Sequence, residues 1–420
     1  MNKQLRISVV SFRPPTKHNL GAPTALPYQI LKHAPPGAEI ELYYYPGLSK
    51  HQEIIQRDID QLRLNKTVEI RHSPDSIQTR LLRRGLSLKR FLRNCFRWGA
   101  LPRELPWGVA AYSVNEQVLA QIREFQPHLV WLYPYWLIDW IDKIQCERIV
   151  ITGPDSAALH SERVIRFGKW DTASEILPEL YQLQRNINLE TALGKTRAKV
   201  HMVGQADIDK YNFLTGRCDQ AFFVPYPYHD YTPSMVLHTA TQGKLRVLVS
   251  AGNQLVYVGT HLSTIVDAII TLAEALTEHY EFIFLGEGYE PFVARLRSAG
   301  FQVAHEMWVE NYADTVAQTH VQIIPRAVGT GTKGKTLHAL VTGLIVIGSE
   351  FAYENIAVVP GEDCLEYHRP EDVAGFLTDI WHRRAYYVEM ANRSAIKTRR
   401  NHDPQIVCKA FWDKCLDNND

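Results

Sequence analysis

Three glycines and two lysines lie close together in the segment Gly329-Thr330-Gly331-Thr332-Lys333-Gly334-Lys335, called the glycine turn below. Glycine has no Cβ atom, so the backbone N–H groups of such a segment can approach a ligand closely. The apolar run 321–325 before it predicts a short buried strand, and residues 336–342 after it predict a helix that ends at Gly343. A helix N-terminus carries partial positive charge and unpaired donors. Together with two ammonium groups, it is suited to binding a diphosphate.

The alternative is a surface turn that caps a helix and carries solvated lysines. The spacing of the glycines matches neither the Walker P-loop nor the dinucleotide-binding fingerprint. A further apolar run at 344–348 predicts the next strand. The resulting strand–turn–helix–strand unit is a βαβ segment, whose anion site lies at the carboxyl end of a strand.

Residues 321–356 resemble the donor-binding segment of GT-B glycosyltransferases, specifically the large retaining family that uses nucleotide-sugar donors (glycosyltransferase family 4-like). Members often read P-x-x-x-G-x-G-x-K-x-K-x-x-E-A-x-x-x-G-x-x-V. The matching positions here are Pro325, Gly329, Gly331, Lys333, Lys335, Ala339, Gly343 and Val346. His338 replaces the glutamate that holds the nucleotide ribose in the family. An imidazole can still make one hydrogen bond to a hydroxyl.

The resemblance implies an α/β protein with the GT-B fold, in which two Rossmann-like domains face each other across a cleft. We expect an acceptor domain at 1–232 and a nucleotide-sugar donor domain at 233–383. Residues 384–420 are then C-terminal helices that return toward the first domain. Residues 224–229 lie where the family has the linker V-P-N-G-V-D.

Apolar runs spaced along the chain support this plan independently. The first half predicts strands at 5–12, 40–45, 128–133, 148–152, 199–203 and 221–224, with a helix at 115–125. After a Pro-, Tyr- and His-rich linker at 225–243, strands are predicted at 245–249 and 281–285. Strands that alternate with helices indicate parallel sheets covered on both faces.

Composition is that of an ordinary globular protein. The chain has 420 residues, of which 45% are hydrophobic and 22% charged, so two domains of about 200 residues each are expected. The net charge of +1 gives no reason to expect a nucleic-acid partner. Six scattered cysteines predict reduced thiols, and no signal peptide or 18-residue apolar span is evident. We therefore expect a cytoplasmic protein.

The resemblance also implies the remaining donor contacts. Gly252 and Asn253 follow the strand at 245–249, where the family places a phosphate-binding arginine. Gly286 and Glu287 match the family's G-x-G turn, and Trp308 and Val309 lie where a loop contacts the base. Asn253 and Val258 replace the family's two phosphate-binding cations. We expect Arg326, Lys333 and Lys335 to supply that charge.

Catalysis in such enzymes relies on cations that stabilise the departing diphosphate. In the retaining mechanism the acceptor attacks on the same face and the leaving phosphate takes its proton. The sequence contains no D-x-D, H-E-x-x-H or Cys/His ligand cluster, so we expect no metal and no cofactor beyond the nucleotide-sugar co-substrate. The catalytic candidates are Asp155, Lys333 and Arg326.

The acceptor side is predicted from the loop at 13–23, where family members carry a cleft-facing glycine loop. Gly21 matches this glycine, and His18 lies beside it; the alternative is a plain surface loop. Asp155 follows the strand at 148–152 and either faces the cleft or caps the next helix. His160 and Glu306 are weaker candidates.

Residues 80–98 combine seven basic residues with leucines, phenylalanines and a tryptophan, and contain no acidic residue. This composition is typical of a helix that lies on an anionic membrane surface, here the inner face. The alternatives are an amphipathic helix packed on the first domain, with its arginines reaching water, and an RNA-binding segment.

The sequence thus predicts a glycosyltransferase of the hexosyltransferase type, with a nucleotide-diphosphate sugar as donor and a glycan or lipid-linked acceptor. One alternative is a nucleotide-sugar epimerase of the same fold, which needs several carboxylates and histidines in the cleft. The other is a catalytically silent glycan- or nucleotide-binding partner. The replacements at Asn253, Val258 and His338 keep this second alternative open.

Overall fold

The computed structural model describes residues 4–17, 22–46, 52–70, 114–168, 170, 172–229, 243–250, 259–309 and 311–417. The strands are β1 (Arg6–Ser11), β2 (Glu39–Tyr44), β3 (Lys66–Glu69), β4 (Leu129–Tyr133), β5 (Arg148–Thr152), β6 (Lys199–Met202), β7 (Ala221–Phe223), β8 (Leu245–Ser250), β9 (Tyr280–Leu285), β10 (Gln302–Glu306), β11 (Val321–Ile324), β12 (Ile345–Gly348) and β13 (Leu365–Glu366).

Helices separate most of these strands. They are α1 (Ala22–Lys32), α2 (Gln52–Asp60), α3 (Glu116–Phe125), α4 (Ile138–Ile141), α5 (Ala157–Phe167), α6 (Ala173–Leu193), α7 (Gln205–Thr215), α8 (Gly259–Thr271), α9 (Ala273–Leu276), α10 (Glu290–Ser298), α11 (Tyr312–Ala317), α12 (Gly334–Thr342), α13 (Glu350–Tyr353), α14 (Asp372–His382), α15 (Arg384–Asn401) and α16 (Pro404–Leu416).

The strands form two parallel sheets with the same winding. The first has the order β3-β2-β1-β4-β5-β6-β7 and the second the order β10-β9-β8-β11-β12-β13. In each domain the chain begins at a central strand and adds strands toward one edge of the sheet. It then crosses back and adds the remaining strands on the other side of the first strand. This reversal places a switch point beside β1 in the first sheet and beside β8 in the second. The prediction of two Rossmann-like domains is confirmed.

The central strands owe their position to continuous apolar runs. Every residue of β4 is buried, as is every residue of β11 and β12, because helices cover both faces of a parallel sheet. In parallel sheets the carboxyl ends of all strands lie along one edge. The loops that follow β8, β9, β10 and β11 therefore share one edge of the second sheet, and those that follow β5 and β6 share one edge of the first.

The last two helices pack on different domains. Helix α15 contacts α12 of the second domain, and Arg399 donates to the Val341 carbonyl over 2.7 Å. Helix α16 packs on the first domain: Trp412 Nε1 donates to the Ile30 carbonyl at 3.1 Å, and the Phe411 ring lies 5.1 Å from that of Trp131.

Among the described helices, none is both long and apolar enough to span a membrane. The predicted membrane-contact segment 80–98 lies outside the described residues, as do His18, Gly21, Gly252 and Asn253.

Candidate active site

The glycine turn connects β11 to α12 and packs directly against the first domain. Gly331 has a φ of +59°, and a Cβ atom there would lie 3.1 Å from the Asp155 Cβ and 3.4 Å from the Pro154 carbonyl oxygen. Both the positive φ and the close approach require glycine. Asp155 and Pro154 belong to the first domain, so Gly331 lies where the two domains contact each other.

Three consecutive residues of the turn are hydrogen-bonded to the segments that follow β5 and β6, namely two loops and the first turn of α7. Thr330 Oγ1 donates to Asp155 Oδ2 over 2.8 Å, and the Gly331 N–H donates to Asp207 Oδ2 over 3.2 Å. Thr332 Oγ1 donates to the Val203 carbonyl over 3.0 Å. The carboxyl edges of the two sheets thus meet at the glycine turn.

Lys333 folds back onto the turn itself. Its ammonium donates to the carbonyls of Thr330 and Gly331 at 2.7 and 2.9 Å and lies 3.9 Å from Glu354 Oε2. Burial lowers its pKa to about 8. A Cβ atom on Gly329 would lie 2.5 Å from Lys333 Cε, so Gly329 makes room for this lysine. The ammonium is satisfied by protein groups.

Lys335, two residues later, has different surroundings. It lies in the first turn of α12, with its ammonium 5.5 Å from the centre of the Tyr312 ring. Burial and the neighbouring charge of Arg326 lower its pKa to about 8. In the part of the chain that the structure describes, no carboxylate comes within 4.0 Å of it. A mostly buried cation beside a second cation favours an anionic ligand.

The Tyr312 ring that faces Lys335 is held in place by side chains of β8 and β11. Tyr312 Oη lies 2.8 Å from Ser250 Oγ, and Gln322 Nε2 donates to both hydroxyls at 2.9 and 3.0 Å. Ser250 ends β8 and Gln322 lies in β11, so the network fixes the Tyr312 ring at the switch point of the second sheet.

Asp155 faces the turn and does not cap helix α5. Ser156 is the N-cap residue, with Oγ accepting from the Leu159 N–H over 3.1 Å. Glu190 accepts from the Ser156 hydroxyl at 3.0 Å and from the Ala158 N–H at 3.1 Å. Burial raises the Glu190 pKa to about 7.

Asp207 links this cap to the turn, because it accepts from the Ser156 N–H over 2.8 Å as well as from Gly331. Burial and the charge of Asp155 raise its pKa to about 7. The carboxyl groups of Asp155, Glu190 and Asp207 therefore converge on the start of α5, opposite the glycine turn.

Two histidines lie near the turn in neutral form. His160 Nδ1 is 3.4 Å from Thr330 Oγ1, and burial lowers its pKa. His338 packs nearly perpendicular to the ring of His229, with centroids 4.3 Å apart. Burial lowers the His338 pKa to about 3, so a neutral imidazole stands at this position of α12.

The other predicted donor residues that the structure describes lie at the same edge of the second sheet. The Gly286 N–H, in a turn with φ of +131°, donates to the Glu306 carbonyl over 2.9 Å. Trp308 and Val309 follow β10, and Trp308 is 53% exposed. Glu287 directly follows Gly286 in the turn after β9. These residues share an edge with the glycine turn.

No protein-family model and no curated protein sequence matches the chain, but solved structures do. Sucrose-phosphate synthase (tll1590) from Thermosynechococcus elongatus has a TM-score of 0.67 at 13% identity, with 98% of each chain covered. Anabaena HepE in complex with UDP and glucose has a TM-score of 0.62 at 11% identity, over 98% of this chain and 99% of that chain. The chain has the GT-B fold.

Two further similar structures are of proteins with different activities. WaaG, a glycosyltransferase involved in lipopolysaccharide biosynthesis, has a TM-score of 0.62 at 12% identity, with coverages of 98% and 99%. UDP-GlcNAc 2-epimerase from Neisseria meningitidis, bound to UDP-GlcNAc, has a TM-score of 0.52 at 10% identity, with coverages of 99% and 100%.

The GT-B arrangement brings together residues that the sequence analysis missed. Arg163 of α5 donates to both carboxylate oxygens of Glu354 over 2.7 Å and to the Gly329 carbonyl over 2.7 Å. Asp207 and Glu190 were missed as well. Arg163 and Glu354 are 191 positions apart in the chain, and neither belongs to a motif, so the sequence gives no signal that they meet.

Proposed function

We propose that the protein is a glycosyltransferase of the hexosyltransferase type that uses a nucleotide-diphosphate sugar as donor. Lys335 carries the proposal, because it is a mostly buried cation that meets no carboxylate in the described residues and has Arg326 as a charged neighbour. Its position in the first turn of α12 adds the N–H donors of a helix N-terminus. The similar HepE structures contain UDP or UDP-glucose.

In this proposal Lys335, Arg326 and the N-terminus of α12 bind the donor diphosphate and stabilise the negative charge that develops on it. Gly286, Glu287, Trp308 and Val309 contact the nucleoside. His338 makes one hydrogen bond to the ribose, and Gly252 and Asn253 are proposed to contact the phosphates. The remaining turn residues, from Gly329 to Gly334, shape the sugar side of the site, with Lys333 holding their carbonyls.

The proposed reaction retains the anomeric configuration and uses the chain's own cations. The bond between the anomeric carbon and the phosphate oxygen breaks, and an acceptor hydroxyl attacks from the same face. The proton of that hydroxyl passes to the leaving phosphate. Asp155, held 2.8 Å from Thr330 across the cleft, stabilises positive charge on the sugar ring in the transition state.

The acceptor is proposed to be a glycan or a lipid-linked glycan precursor that enters from the first domain. His18 and Gly21 then belong to its binding loop. Contact of residues 80–98 with an anionic membrane surface would place the enzyme beside a lipid-linked acceptor.

One observation favours a second candidate, a nucleotide-sugar epimerase. Asp155 and His160 both approach Thr330, the histidine at 3.4 Å, which provides a carboxylate and a neutral imidazole for acid–base chemistry. Glu190 and Asp207 are less suited to acid–base chemistry in an epimerase, because both accept hydrogen bonds from backbone N–H groups at the start of α5.

The test is calorimetric titration with UDP, GDP, CDP and ADP, comparing the wild-type chain with an Arg326→Ala/Lys335→Ala variant. We expect one nucleotide to bind and the variant to lose that binding. Lys244→Ala is the control, because Lys244 precedes β8 at the opposite edge and donates to the Thr277 carbonyl. Failure of all four nucleotides to bind would overturn the donor site.

Turnover then separates the candidates. NMR of the matching nucleotide sugar with a panel of acceptors distinguishes sugar transfer from formation of an epimer. Tight nucleotide binding without either product would favour the silent binding partner.

A further inference from the structure

One guanidinium of the first domain holds two separate parts of the second. The Arg163 side chain makes a two-bond contact with the Glu354 carboxylate, and Nη1 also donates to the Gly329 carbonyl at the start of the glycine turn. The side chains of Arg163 and Glu354 are only 17% and 18% exposed. Charge-assisted bonds in such surroundings are screened little by water.

The segment that carries Glu354 is anchored to the first domain on both sides. The Phe351 ring packs against Phe167 with centroids 5.2 Å apart, and Arg163 lies 5.4 Å from the same ring. On the other side, Asn355 Oδ1 accepts from the Gln205 N–H over 3.1 Å. Glu354 is therefore fixed relative to the first domain.

Glu354 also lies 3.9 Å from the Lys333 ammonium, which holds the carbonyls of Thr330 and Gly331. Arg163 and Lys333 together thus bind three successive carbonyls of the turn, and a single carboxylate lies between the two cations. Opening of the cleft would break the Arg163 bonds to Glu354 and Gly329 at the same time. Among the described residues, Lys333 would then be the cationic partner left to Glu354. The Glu354 carboxylate would compete with the turn carbonyls for the Lys333 ammonium.

We propose that Arg163 is a positioning residue that couples closure of the two domains to the shape of the glycine turn. The inference rests on the proposed function, since the turn leads into Lys335 and the proposed diphosphate site. A residue of the acceptor domain would then determine how well the donor domain binds nucleotide. Arginine suits this task because its planar fork can meet a carboxylate and a carbonyl together, whereas the single ammonium of lysine cannot keep the same geometry.

Hydrogen exchange of the intact, nucleotide-free chain tests the coupling directly. Arg163→Ala is expected to speed amide exchange in residues 329–334 by about tenfold or more, because local opening no longer breaks charge-assisted bonds. Arg163→Lys should restore only part of the protection. Arg166→Ala is the matched control on the same helix, because it removes a guanidinium from α5 but leaves the Arg163 bonds to Glu354 and Gly329 in place.

The Arg163→Ala/Glu354→Ala double variant tests whether the two residues act as a unit. Its exchange should be little faster than that of either single variant, because each substitution already removes the shared contact. The proposal would be overturned if the increases in exchange rate of the two single variants multiplied in the double variant. It would also be overturned if Arg163→Ala exchanged at the wild-type rate.

UDP binding supplies the functional readout. If the wild-type chain binds UDP, Arg163→Ala should weaken it by about tenfold, whereas Arg166→Ala should leave it unchanged. Equal affinity in wild type and Arg163→Ala would overturn the link to the donor site. If the wild-type chain binds none of the nucleotides, the proposed function fails, and the exchange data alone then decide whether Arg163 couples closure to the turn.

Discussion

The two ends of the glycine turn meet opposite surroundings. From Gly329 to Lys333 the turn is bound by the facing domain and by its own lysine. From Gly334 onward it becomes a helix N-terminus, where Lys335 has a tyrosine ring and a second cation as neighbours. Two lysines of one motif therefore have different surroundings: the first is bound to carbonyls of the turn, and the second is the one that we propose to bind an anion.

Exchanging each lysine for alanine should separate their roles most clearly. Lys335→Ala is expected to weaken nucleotide binding by about a hundredfold and to leave stability unchanged or higher, because a buried cation beside another cation is removed. Lys333→Ala should lower the free energy of unfolding by about 2–4 kcal/mol, since it leaves buried carbonyls without a donor. Calorimetry and denaturant unfolding measure the two effects. Identical profiles for the two variants would contradict the comparison.

The protonation of Lys335 provides a sharper test. Its pKa is lowered to about 8 in the free protein, and a bound diphosphate would raise it again because opposite charge favours the ammonium. Binding at about pH 9 should therefore take up a proton, and affinity should fall as pH rises through about 8. Titration in two buffers of different ionisation enthalpy measures the uptake. Lys335→Arg should abolish it, because a guanidinium stays charged.

Gly331 tests the end that faces the first domain. Gly331→Ala should destabilise by about 1–2 kcal/mol from its positive φ alone, and the added methyl group meets Asp155 and Pro154. Gly216→Ala is the control, because Gly216 has a φ of +68° and no described atom lies within 4 Å of the place where its Cβ would be. Only Gly331→Ala should enlarge the radius of gyration in solution scattering. Expansion in neither variant would show that this contact does not hold the domains together.

Glu190 predicts a pH dependence of stability. Burial raises its folded-state pKa from 4.5 to about 7, so the folded state binds the extra proton in this range. Stability should therefore fall as pH rises from about 4.5 to about 7. Glu190→Gln should flatten this decline, whereas Glu175→Gln, at an exposed position of the same helix, should not. Thermal unfolding across this pH range measures the slope.

The interior strands could be predicted because burial on both faces demands unbroken apolar sequence. The predicted strand at 148–152 coincides with β5, and the one at 321–325 is one residue longer than β11. The strands that escaped prediction, β3, β10 and β13, lie at sheet edges. Strands β3 and β10 alternate exposed and half-buried residues or are largely exposed, and β13 has only two residues, so no apolar run marks any of them.

The site was predictable only as far as it is local in sequence. The turn, the helix after it and the strand before it follow from glycine positions and periodicity. Which lysine faces Tyr312 and which folds back depends on side-chain packing that spacing does not encode. The contact between Arg163 and Gly329 joins residues 166 positions apart, and it exists only because two separate sheets place their carboxyl edges opposite each other.

The return of α16 to the first domain has a consequence for biosynthesis. Phe411 and Trp412 pack on Trp131 in the centre of the first sheet, so this domain lacks part of its core until residues 404–416 have emerged from the ribosome. The second domain, synthesised in between, has its own apolar cluster. It can therefore collapse while the older half of the nascent chain still exposes the aromatic surface that α16 covers in the folded protein.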